Sequence, residues 1–186
     1  MAQRSAQSGV RWRLGARTRK TTLLLHIASA GVWLGIDVVM AVLIFTALLT
    51  DSDATRALCF QALDIVAVWP LLTTGLICLV TGLVLGVGSR YGLVRYWWVL
   101  IKLILNLVLT GLVLVALAPE IARAAGDARQ FLAGAPVTLS VGDLIFPPIV
   151  SPLALLVAMV LAVFKPWGRV RSSRQLLDRR EDVDVG

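Results

Sequence analysis

The sequence predicts an all-α integral membrane protein, a bundle of four transmembrane helices with N and C termini cytoplasmic. Three observations predict it. Over 186 residues the mean hydropathy is +0.85, with 58% hydrophobic residues, well above a soluble domain of this size. Four apolar stretches are each long enough to cross a hydrocarbon core about 30 Å thick. Lys and Arg, finally, fall unevenly on alternate connections.

Residues 1–20 carry Arg4, Arg11, Arg13, Arg17, Arg19 and Lys20 and no acidic residue, which reads as a basic tail against anionic lipid. Ala28-Ser29-Ala30 imitates a signal-peptidase site, but the apolar run continues to Leu49, so an uncleaved first span over 21–49 is expected. Asp51-Ser52-Asp53 closes it. Residues 57–64 read as an amphipathic lead-in to a second span at 65–87. Arg90 and Arg95 bracket a short connection to a third at 97–118, which Pro119-Glu120 should end. Residues 120–141 read as a partly helical surface loop. The fourth span, 144–164, opens on Pro147-Pro148, tolerated where a first turn has N–H groups without partners. Lys165-Pro166-Trp167-Gly168 stops it, ending the membrane domain at 168, and 169–186 form a charged tail.

With four spans, the six basic residues of the first tail, Arg90 with Arg95, and the six from Lys165 to Arg180 all fall on one side. The other side holds Arg56, and Arg123 with Arg129 offset by three acidic residues. The net charge of +7 therefore points to a membrane surface and not to nucleic acid, because no basic stripe forms on a folded face. Lipid is the expected environment, in a plasma membrane. Cys59 and Cys78 lie 19 residues apart on one helical stretch, about 28 Å at about 1.5 Å per residue, too far for a disulfide.

An ionisable side chain inside hydrocarbon costs several kcal/mol unless paired or facing a cavity, so each is a functional candidate. At about 100° per residue, His26, Trp33 and Asp37 share one face of the first span. Gly31 and Gly35 fall opposite as a GxxxG pair that permits close packing of a second helix or a homo-oligomer. Lys102 and Asn106 share a face of the third span, with Lys102 at nearly the depth of His26. A packing histidine and a snorkelling lysine are the bland alternatives. Asp64 reads as a solvated cap, and Gly75, Cys78 and Gly82 as a packing face. Trp97, Trp98 and Trp167 suit an interfacial belt, whereas Trp33 and Trp69 are placed deep enough to pack internally.

The segment Leu25-His26-Ile27-Ala28-Ser29-Ala30-Gly31-Val32-Trp33-Leu34-Gly35 resembles the LHxxxxxxWxG opening of a clan of small helical membrane proteins. That clan includes copper-resistance CopD-like domains and HemJ-type protoporphyrinogen oxidases. Trp97-Trp98-Val99-Leu100-Ile101-Lys102-Leu103 resembles the WxxxKL element of their later helix. The ending from Phe164 to Arg169 resembles that of an uncharacterised integral membrane family near them, so the likeness covers about 21–169. It implies that His26 and Lys102 hold haem b, with Trp33 and Ala30 lining the porphyrin and Asn106 beside it, in redox exchange with a membrane partner. Ligation needs a neutral imidazole and a deprotonated amine. Two alternatives remain open: an accessory, scaffold or transport-related protein without enzymatic activity, and copper handling at His26. The copper reading suffers from few soft donors, since Met40, Met159 and Cys78 are dispersed along the spans.

Overall fold

A computed structural model describes residues 15–88 and 97–164. Arg4, Arg11, Arg13, Arg90, Arg95, Trp167 and the 169–186 tail lie outside the described residues. The described chain is helical, without strands: α1 (Ala16–Leu49), α2 (Asp53–Val66), α3 (Val68–Val87), α4 (Trp97–Leu112), a π-helical turn (Val113–Leu117), α5 (Ala118–Leu132), a 3-10 turn (Gly142–Ile145) and α6 (Pro147–Phe164). Four continuous helical stretches, 16–49, 53–87, 97–132 and 142–164, are long and apolar enough to cross a membrane. Their outer faces carry Leu24, Ile27, Val42, Val115 and Val163, each more than half exposed, as lipid-facing positions require. The protein is thus a multi-pass, four-helix membrane bundle.

Around the bundle α1 packs on α3, α3 on α4, α4 on α6, and α6 back on α1. α1 and α4 therefore stand on a diagonal, each able to aim side chains into the shared interior. We call the end where α1 begins and α6 finishes the tail end, and the opposite one the far end.

At the far end the connections are more ordered than the sequence suggests. α1 stops at Thr50, and Arg56 closes the corner: its Nε donates to the Ala47 carbonyl at 2.9 Å and its Nη2 to that of Thr50 at 2.7 Å. Ser52 caps α2 by accepting from the Thr55 N–H at 3.3 Å. The second span is not one helix over 65–87 but two segments from Asp53, broken at Ala67. Pro70 accounts for the break, because it has no N–H to offer the Val66 carbonyl and its ring crowds that oxygen. Ala67 to Leu63 and Leu71 to Ala67 keep their bonds at 3.0 Å on either side.

The third span likewise runs past 118. Pro119 does not end it, because the turn before it widens into the π-helical 113–117, with the Ala118 N–H bonded back to Val113. The extra residue relieves the clash that Pro119 would make with the Val115 carbonyl. Residues 120–132, expected as part of a surface loop, belong to α5, which buries Ile121, Ala124, Ala125 and Ala128 against α2. The alanine richness that reads as loop is a small-residue packing face. Asp64 is solvent-exposed as expected, and it also pairs with Arg129 at 3.3 Å, which ties α2 to α5. Gly134, at φ +89°, lets the chain leave α5, and a coil through 135–141 leads to the 3-10 turn. α6 starts at Pro147 as expected and contains Pro152.

Two packing expectations fail. Gly31 and Gly35 have nothing within 4 Å of a built Cβ among the described residues, so the GxxxG face of α1 does not seat another described helix. Trp69 is 74% exposed. It stands in the first turn of α3, beside Pro70, and its apolar ring points outward.

Candidate functional site

Two groups of polar side chains lie inside the bundle. The first gathers near the tail end. Small residues on α3 let α1 approach: a Cβ on Gly82 would stand 3.2 Å from the His26 ring. His26 Nδ1–H donates to the Cys78 carbonyl at 3.0 Å and shares that hydrogen with Thr81 Oγ1 at 3.1 Å, while Cys78 Sγ lies 3.6 Å away. Thr81 spends its own hydrogen on the Ile77 carbonyl at 2.6 Å. A carbonyl can only accept, so Nδ1 carries the proton and the neutral ring has its lone pair on Nε2. Ser29 donates to the His26 carbonyl at 3.0 Å.

Lys102 enters from the diagonal helix. It is half-buried, its ammonium 4.7 Å from the Trp98 ring centroid. Register gives its depth. Trp33 of α1 and Thr110 of α4 meet over Gly75, where a built Cβ would lie 2.7 Å from the Trp33 ring and 2.8 Å from Thr110 Oγ1. His26 is seven residues before Trp33 and Lys102 eight before Thr110. At about 1.5 Å per residue they stand within about 2 Å of the same depth. His26 and Lys102 thus stand at about the same depth, on two helices that are not among the pairs packed directly together.

The second group lies about 16 Å further along α1, at about 1.5 Å per residue. Trp33 Nε1–H donates to Ser151 Oγ at 3.1 Å, and Ser151 Oγ–H donates to Asp37 Oδ2 at 2.7 Å. Asp37 is 1% exposed, and among the described residues no cation forms an ion pair with it. It forms the floor of a cavity of about 510 Å³ walled by α4, the π-helical turn and α6, with Glu120 and Asp143 at the far end. The lining is otherwise almost wholly apolar and includes three carboxylates but no Lys, Arg or His. Arg123, paired with Glu120, also feels Asp127 and Asp143, so three carboxylates surround one guanidinium near the mouth.

Between the groups, α4 presents Asn106 and Thr110 on the face of Lys102. Asn106 Oδ1 and Thr110 Oγ1 are both buried and have no hydrogen-bond partner. Trp33, expected beside a cofactor at His26, instead belongs to the Asp37 group. Ser151 and Thr110 are the residues that sequence reasoning missed. Their only signal is a hydroxyl in an apolar span, and hydroxyls there ordinarily bond back to their own helix, as Thr74 does to Pro70 at 2.7 Å. The π-helical turn, a feature frequent at functional sites, had none.

Among the described residues no three His, Cys, Asp or Glu side chains converge to hold a metal ion. No family model, curated protein or solved structure matches the chain.

Proposed function

We propose that this protein binds, and moves across or within the membrane, a small and largely apolar molecule carrying a positive charge, held in the far-end cavity by Asp37. The observation that carries this reading is an enclosed carboxylate without a cation, at the floor of an apolar cavity large enough for a drug-sized molecule. Burying an unpaired carboxylate costs several kcal/mol, so a cationic ligand recovers energy that the empty fold forgoes. Ser151 fixes one carboxylate oxygen and Trp33 fixes Ser151, leaving the other oxygen for the guest. The acidic mouth favours entry of cations. Tetraphenylphosphonium is a suitable probe. Saturable binding to the purified protein that falls by an order of magnitude or more in Asp37→Asn is expected; equal binding by the two proteins, or none by either, overturns the reading.

A second reading, haem b between His26 and Lys102, is favoured by the Nδ1–H bond to the Cys78 carbonyl. That bond holds the ring and leaves Nε2 available, as outer partners of ligating histidines do. The donors suit axial ligation, and bound haem would supply one-electron chemistry. Neither cavity described in the structure is lined by His26 or Lys102, however, and α3 packs against the His26 ring. A Soret band in purified protein, lost in His26→Ala, would establish this reading; colourless protein from haem-supplied cells would end it. The copper reading asks for soft donors, and only Cys78 stands beside His26.

The charge distribution supports a tail end in the cytoplasm and residence in a plasma membrane. The open Gly31 and Gly35 face supports a homo-oligomer through α1.

A further inference from the structure

We infer that the guest reaches the Asp37 cavity sideways out of the bilayer, through the seam between the π-helical turn and α6, and that it is a single-chain cationic amphiphile, an ammonium group on one aliphatic chain. The inference rests on the reading of Asp37 as a cation site. It narrows that reading from charged apolar molecules in general to those already dissolved in lipid.

The walls of the cavity differ in what lies behind them. On one side α1 and α3 supply Trp33, Asp37, Met40 and Leu71, each at most 2% exposed, so that side is closed by protein. On the other, Val115 of the π-helical turn and Val150 of α6 line the same cavity yet are 79% and 50% exposed. Leu112 and Phe146, about one turn earlier in each segment, repeat the pattern. Side chains border a cavity and the outer surface at once where the wall between them is no thicker than themselves. The cavity therefore opens along this seam.

Depth decides what the opening faces. Ser151 bonds to Asp37, so Val150 stands near the level of the carboxylate. Glu120 and Asp143 are the polar rim of the cavity. Val115 lies five residues and Val150 seven residues inward of them, about 7–10 Å at about 1.5 Å per residue. The neighbouring outer surface is apolar as well, with Leu114 and Leu153 exposed. At that depth the seam meets acyl chains and not water.

A carboxylate oxygen at the floor and hydrocarbon at the seam thus lie a short distance apart. A guest matched to both carries its charge at one end and an aliphatic chain at the other. Ser151 occupies Oδ2, so the ammonium takes Oδ1, and the chain runs out between Val115 and Val150 to remain in the bilayer. A compact hydrophilic cation gains nothing from the seam, and a neutral lipid gains nothing from Asp37. The rim carboxylates act at headgroup level, concentrating cationic amphiphiles in the leaflet beside the opening.

The test places the full chain in lipid nanodiscs with a dodecyltrimethylammonium probe that bears a photoreactive diazirine near its chain end, and locates the adducts by mass spectrometry. Adducts should concentrate on the segments holding Val115 and Val150, and either excess tetraphenylphosphonium or Asp37→Asn should reduce them several-fold. The matching neutral alcohol should label lipid-facing positions without preference for the seam. Competition by tetraphenylphosphonium is read on the wild type, so the test stands even where Asp37→Asn fails to fold. Adducts spread evenly over lipid-facing positions with both probes, while tetraphenylphosphonium binding still depends on Asp37, overturn the seam and leave the cavity reading standing. Seam adducts specific to the cationic probe that persist in Asp37→Asn, alongside tetraphenylphosphonium binding that also persists, uphold the seam and overturn the role given to the carboxylate.

Discussion

Around His26 the interior is tied together: the imidazole, Ser29 and Thr81 all hold partners on α1 or α3, and α3 presses on the ring itself. Around Asp37, on the same face of the same helix, the interior opens into a cavity and one hydroxyl bridges the carboxylate to an indole. Both are ionisable groups in hydrocarbon, yet the protein treats them differently. The histidine is held by the Cys78 carbonyl and the Thr81 hydroxyl, whereas the carboxylate borders a cavity. A polar residue inside a membrane is therefore informative less by its type than by whether its surroundings leave it a vacant direction.

Substitution at Gly75 should break the contrast most completely, because the two halves meet there. Gly75→Leu should yield no monodisperse bundle in detergent, and Gly75→Ala should cost about 1–3 kcal/mol through overpacking against Trp33, read as a shift in SDS-induced unfolding. Gly31→Ala, with open space at the Cβ, is the matched control and should unfold at or slightly above the wild-type midpoint.

If the tail-end group is as rigid as its bonds suggest, His26→Ala should destabilise the bundle by about 2 kcal/mol, from lost packing and a lost hydrogen bond. Tetraphenylphosphonium binding should stay unchanged. Coupled loss of binding would show that the halves are one site. Trp33→Phe removes both the donor to Ser151 and the benzo edge that lies over Gly75, so it should cost about 1–3 kcal/mol of stability and weaken cation affinity several-fold. The smallest effect is expected outside the bundle interior. Arg129→Gln removes an exposed ion pair and should cost less than about 1 kcal/mol, a difference that high salt should erase.

The helical class, the four crossings and the inward face of His26, Trp33 and Asp37 were legible because hydropathy and a period near 3.6 act locally. The depth match of His26 with Lys102 was legible for the same reason, since alternate spans run in parallel. Three features were not. Pro70 reads as an ordinary residue of a span, and its break at Ala67 appears only once the Val66 carbonyl is followed. Alanines 124, 125 and 128 read as loop because their value lies in how closely α2 can approach, which pattern does not report. The cavity depends on Ser151 meeting Asp37 across 114 residues of chain, a pairing that no local period encodes. The exposure of Trp69 fails for a simpler reason, that depth along a helix says nothing about which way it faces.

The widened turn before Pro119 fixes chain length in an unusual place. One residue more or fewer in a helix swings everything beyond it by about 100°. Removing a single residue from 113–117 would close the wide turn to a regular α-turn and drive the Pro119 ring against the carbonyl four residues before it. The coil at 135–141 has no such bookkeeping. Length variation should thus be tolerated a short distance downstream of a segment where it is not tolerated at all, and that boundary locates where the far-end cap stops being an accessory and becomes part of the cavity wall.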